Sequence, residues 1–70
     1  MADPFSSLRP WRIFLRVADC GSVSRASLEL DADAAYVSRT VAALERDLGV
    51  RLLDRAVRPI VPTPEGRAVI

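Results

Sequence analysis

The sequence predicts a mainly α-helical domain that ends in one small β-hairpin, and three observations predict it. Apolar residues recur at helical spacing over three consecutive stretches, separated at Gly21 and at Asp31-Ala32. After Gly49 that period is lost and short runs rich in Leu, Ile and Val alternate with turn residues. Capping residues stand where each helix should begin or end: Ser22, Asp33 and Thr63 at starts, Gly21 and Gly49 at stops.

Residues 1–7, Met-Ala-Asp-Pro-Phe-Ser-Ser, read as a flexible leader. From Leu8 to about Cys20, Leu8, Trp11, Phe14, Leu15 and Ala18, with Val17 beside them, form a stripe expected to face the core. Arg9, Arg12 and Arg16 share the other side, as a solvated face or as contacts to a polyanion. Pro10 is tolerable only in the first turn. Trp11 and Phe14, the largest apolar groups here, are expected as core anchors. A short helix follows from Val23 to Leu30, with Val23, Ala26 and Leu30 inward, and Asp31-Ala32 makes a turn.

The next helix, about Ala34 to Leu48, is the best signposted. Val37, Val41, Leu44 and Leu48 fall on one side for the core, and Ala35, Arg39, Ala42 and Arg46 fall on the other, with Ser38 on the flank nearer the amino end. A surface of small residues around an arginine permits close approach and offers a fork of donors to phosphate or to a guanine edge. A helix, a tight turn and a second helix, preceded by a supporting helix, make a helix-turn-helix, an order that any three-helix bundle can also produce. Residues 51–55 and 60–62 read as strands of a hairpin, with Arg55 on the first strand and Arg58 at the tip, the position of a wing. Thr63-Pro64-Glu65 opens a further helix, and the sequence stops one turn later. The expected organisation is a leader at 1–7, a winged helix-turn-helix domain at 8–62, and at 63–70 the truncated start of a linker helix belonging to something longer.

Seventy residues allow one small core, burying only about 60% of the surface that the unfolded chain exposes. No apolar run reaches the roughly 20 residues of a membrane span, and the first residues lack the order of a signal peptide, so a cytoplasmic protein is expected. The basic residues are all arginine, ten of them against nine acids, a net charge of +1 that makes arginine placement decisive. With no His, a single Cys20 and scattered carboxylates, the chain offers no metal-ligand set, no activated nucleophile and no acid/base pair, and no cofactor motif. An enzyme is not expected, and Cys20 reads as an ordinary half-buried thiol. The absence of Asn and Gln removes bidentate amide contacts to adenine and leaves base reading to Arg, Ser, Thr, Tyr and apolar contacts.

The order Leu8-Arg9, Phe14, Val17-Ala18, Gly21-Ser22, Arg25-Ala26, Leu30, Val37-Ser38-Arg39, Leu44-Glu45, 48–53 (Leu-Gly-Val-Arg-Leu-Leu), Arg55 and Thr63-Pro64-Glu65-Gly66-Arg67 closely resembles the amino-terminal domain of LysR-type transcriptional regulators. No single tripeptide in it is specific; the set with its spacings is. The resemblance implies a domain that binds double-stranded DNA, with the helix 34–48 in the major groove and the wing near the minor groove. It further implies a homodimer or higher oligomer through the linker helix, and an effector-binding domain absent from this chain. Carried over by position, it places Ser38 and Arg39 at DNA, Arg55 as the wing arginine and Thr63 at the start of the linker helix. Where the family usually has Ser-Gln-Pro-Ala or Ser-Gln-Pro-Ser, this chain has Asp33-Ala34-Ala35-Tyr36, so Ala34, Ala35 and Tyr36 stand at the DNA-facing start of the helix. Tyr36 has two roles open to it, a phosphate hydrogen bond or packing against the first helix.

The expected DNA contacts are therefore Arg9, Arg25, Ala34, Ala35, Tyr36, Ser38, Arg39, Arg55 and Arg58, with Arg9 and Arg25 as backbone clamps. Asp31 and Asp33 set two negative charges near the phosphates and oppose binding. A second reading is a winged-helix module for protein association with weakened DNA binding. Asp31→Ser with Asp33→Ser separates the two, because it strengthens binding only under the first.

Overall fold

The computed structural model describes residues 9–70, and side chains from Pro10 onward. The leader, Leu8 and the Arg9 side chain lie outside the described residues. Three helices come first, α1 (Arg9–Cys20), α2 (Val23–Leu30) and α3 (Ala34–Leu48), then β1 (Leu53–Asp54), β2 (Val61–Pro62) and α4 (Pro64–Val69). The two strands pair antiparallel, with Leu53 opposite Pro62 and Asp54 opposite Val61. This is a winged helix-turn-helix.

α2, α3 and α4 start where their terminal amides find partners. Ser22 accepts from the Arg25 amide at 3.2 Å, Asp33 from the Tyr36 amide at 3.3 Å, and Thr63 from the Gly66 amide at 3.0 Å. The turn between α2 and α3 is closed by Asp31 in the left-handed conformation, φ 53°, and α3 ends on Gly49 at φ 73°.

Ile13, Phe14 and Val17 of α1, Ala26 of α2, Val37, Val41 and Leu44 of α3, and Leu52, Leu53 and Ile60 around the hairpin form the core. Trp11, Val23 and Leu30 pack against it, half-buried, and Trp11 meets Phe14 edge to face at 6.3 Å.

Three expectations need correction. Leu15 does not face inward: it is 41% exposed, while Ile13, which the expected stripe omitted, is 4% exposed. The buried face of α1 centres on Phe14 and Val17 with Ile13 at its flank, which turns Leu15 away. Leu48 is likewise 45% exposed, because Leu52 and Leu53, fully buried, close the core beyond Leu44. The strands are shorter than 51–55 and 60–62, and Arg55 lies in the turn after β1. The ladder has few groups left to use. Leu52 and Leu53 donate their amides to Glu45, the Ile60 amide goes to the Gly21 carbonyl, and Pro59 and Pro62 have no N–H.

Candidate nucleic-acid interface

The outer face of α3 follows from its inner one. With Val37, Val41 and Leu44 buried, the 3.6-residue period sets Ala35, Ser38, Arg39, Ala42 and Arg46 in solvent, and Ala34 is exposed beside them. Arg39 thus has alanines along its own face and a hydroxyl next to it. Arg25 is exposed on α2.

The hairpin brings two more arginines to this side. Ser38, Arg55 and Arg58 line one cleft of about 250 Å³ with Ser22 and Ser24, so residues from α2, α3 and the wing converge there. The wing is held against the helices by the Ile60 amide, which donates to the Gly21 carbonyl at 2.8 Å. Arg58 folds back on its own loop, donating from Nη1 to the Arg55 carbonyl at 2.7 Å.

Arg55 is engaged from behind. Its Nη1 lies 3.1 Å from Glu45 Oε1, with 30% of the arginine side chain and 9% of the glutamate side chain exposed. Glu45 Oε2 also accepts from the Leu52 and Leu53 amides, at 2.7 and 3.2 Å. Burial by itself pushes this carboxyl up. The two amides and the guanidinium outweigh burial and hold it below the ordinary glutamate value. In the sequence Glu45 entered only as part of the family resemblance and with no role of its own, because an acid beside a core leucine near a helix end looks like a solvated flank. Arg46 and Arg51, also outside the expected contacts, line a neighbouring hollow with Arg55 and Glu45.

Tyr36 is 40% exposed and lines a hollow with Pro10, Arg39 and Leu44, which sets its ring beside the start of α1. Asp33 spends its carboxylate on the cap of α3, whereas Asp31 is exposed at the turn. Arg16 lies elsewhere: it pairs with Asp19 and Glu29, each at 3.4 Å. Cys20 is half-buried, and its thiol is pushed up, first by desolvation and then by its hydrogen bond to Glu29. Among the described residues no group of three His, Cys, Asp or Glu is placed to hold a metal, and no helix is long and apolar enough to cross a membrane.

Residues 8–67 match the family model described as bacterial regulatory helix-turn-helix protein, lysR family. A probable HTH-type transcriptional regulator, SinR, of Salmonella typhimurium is 44% identical over 48 residues, 69% of this chain and 15% of that protein. The SDS degradation transcriptional activation protein of a Pseudomonas species is 38% identical over 65 residues, 93% of this chain and 21% of that protein. The chain thus spans about a fifth or less of the length of these relatives. Among solved structures, the DNA-binding domain of BenM in complex with catB site 1 DNA superposes with a TM-score of 0.86 at 37% identity, covering 89% of this chain and 67% of that one. Full-length BenM superposes equally well, with 20% of its chain covered. By the match over residues 8–67, this chain belongs to the LysR family of bacterial helix-turn-helix regulatory proteins.

Proposed function

We propose that the chain binds double-stranded DNA in a sequence-specific way, with α3 in the major groove and the wing near the minor groove. The carrying observation is the exposed Ser38-Arg39 pair on α3, with Arg55 and Arg58 of the wing in one cleft with Ser38. Arg39 and Ser38 act as groove or phosphate contacts, Arg55 and Arg58 as wing contacts, and Arg25 and Arg9 as backbone clamps. Ala34 and Ala35 let the start of α3 approach the groove closely, and Tyr36 sits at its margin. The BenM domain complexed with DNA supports this reading. Phosphate contacts set position, and the few groove-facing side chains set sequence preference.

The domain works in the bacterial cytoplasm as part of a longer regulator and catalyses no reaction. The segment from Thr63 begins a linker helix that pairs two copies and leads to an effector-binding domain. Two copies meet half-sites about one helical turn or more apart.

Fluorescence anisotropy of the chain against a pool of short duplexes, repeated across salt concentration, tests this reading. A linear fall of log affinity with log salt, about 0.9 per phosphate engaged, is expected. Absence of binding to every duplex even at low salt would contradict it. The association reading draws on one observation: Leu15, Pro62 and Ile70 line an open groove beside α1, with Leu15 and Ile70 exposed.

A further inference from the structure

Glu45 is the buried acid among the described residues, and each of its carboxylate oxygens is committed to the segment that leads into the wing. A two-residue strand pair is too short to hold its own shape in water. The hairpin must be fixed from outside, and Glu45 does so from the inner side of α3. Oε2 takes the amides of Leu52 and Leu53, and Oε1 takes Arg55. The Arg55 carbonyl in turn receives Arg58. One carboxylate is therefore linked, in two steps, to the arginine at the wing tip.

A buried ion pair adds little net stability relative to apolar packing, although losing one partner is costly, and the bonds of this one also fix where the wing stands. We infer that Glu45 is a positioning residue for DNA binding, which locks the wing to α3 so that Arg55 and Arg58 are presented together with Ser38. The inference rests on the DNA-binding reading above. It also carries an unusual sign. Removing an acid from a polyanion-binding domain ordinarily strengthens binding, whereas removing this one should weaken it.

The test is Glu45→Gln in the 70-residue chain, with folding followed by circular dichroism. Amide exchange at Leu52, Leu53 and the strand pair is expected to quicken about tenfold or more, with the amides of α1 to α3 unchanged. Duplex affinity at about 0.1 M salt is expected to fall about tenfold. Arg58→Ala should lower the salt slope by about one in the wild type and by clearly less in the Glu45→Gln background, a coupling that general loss of stability does not produce. Equal or tighter binding by Glu45→Gln, with Arg58→Ala additive, overturns the inference. Should Glu45→Gln not fold, Glu45→Asp, which keeps the charge but withdraws it by one methylene, is expected to show the same loss of coupling. Failure of both to fold would make Glu45 a folding residue and overturn the inference as well. Wild-type chain that binds no duplex sinks the DNA reading before any substitution is made. The role in DNA binding falls with it, and exchange then tests only the lock itself: unchanged Leu52 and Leu53 amides in Glu45→Gln overturn that too, and quickened ones uphold Glu45 as the lock of the wing.

Discussion

At the scale of single residues, Glu45 carries a dependence on pH. Its folded-state carboxyl is held below the ordinary value of 4.5, so the stability it contributes is present above that pH and is lost as pH falls through the folded value. Acid titration followed by circular dichroism should show wild type losing stability below about pH 4.5, with a shallower loss in Glu45→Gln. Gly66 makes a second case. A Cβ there would run into the Leu52 carbonyl, because α4 crosses the wing base at that point, whereas a Cβ at Gly49 meets nothing within 4 Å. Gly49→Ala is expected to cost about 1 kcal/mol, from the left-handed φ alone. Gly66→Ala should cost more, about 2 kcal/mol or above, in urea unfolding. Cys20 is shifted the other way from Glu45, so it stays a thiol at neutral pH and should react with an alkylating reagent more slowly than a free cysteine. These differences were hidden in the sequence because they arise between residues far apart in the chain. Gly66 meets Leu52, and Glu45 meets Arg55, only after the chain has turned at Gly49.

At the scale of elements, local chemistry was legible and rotation was not. The bounds of α3, Ala34 to Leu48, follow from Asp33 and Gly49, whose capping needs no tertiary context. In α1 the apolar residues wrap too far around the helix to name the buried side. Ile13 and Leu15 flank Phe14 equally in sequence, and packing on α2 and α3 buries Ile13. The strands were overextended because alternation marks residues fit for a ladder, but the amides of Leu52 and Leu53 had already been taken by Glu45 and that of Ile60 by Gly21. The turn between α2 and α3 carries its own prediction. Asp31 holds a left-handed conformation that asparagine tolerates, and Asp33 caps α3 as serine can. Asp31→Asn with Asp33→Ser should therefore keep the fold and remove two negative charges. The expected result is several-fold tighter duplex binding at low salt, with the gain shrinking as salt is raised.

At the scale of the whole molecule, a net charge of +1 gives little general attraction to a polyanion, so affinity depends on the arginines being sorted to one side. The fold brings three of the ten near Ser38. Arg39 stands on α3, and Arg55 and Arg58 share a cleft with Ser38, while Arg16 is tied to Asp19 and Glu29 away from it. The position of Arg39 could be read from the helical wheel alone. That of the wing arginines relative to Ser38 could not, since it depends on the Gly21 carbonyl and the Glu45 carboxylate holding the hairpin in place.

The most direct test of this account compares the salt dependence of duplex binding for wild type, Arg39→Ala and Arg16→Ala, by anisotropy across a salt series. The account predicts that Arg39→Ala weakens binding about tenfold or lowers the salt slope by about one, while Arg16→Ala leaves both within error. Equal losses from the two substitutions would mean that the chain attracts DNA by charge alone, and would contradict a binding surface built on α3 and the wing.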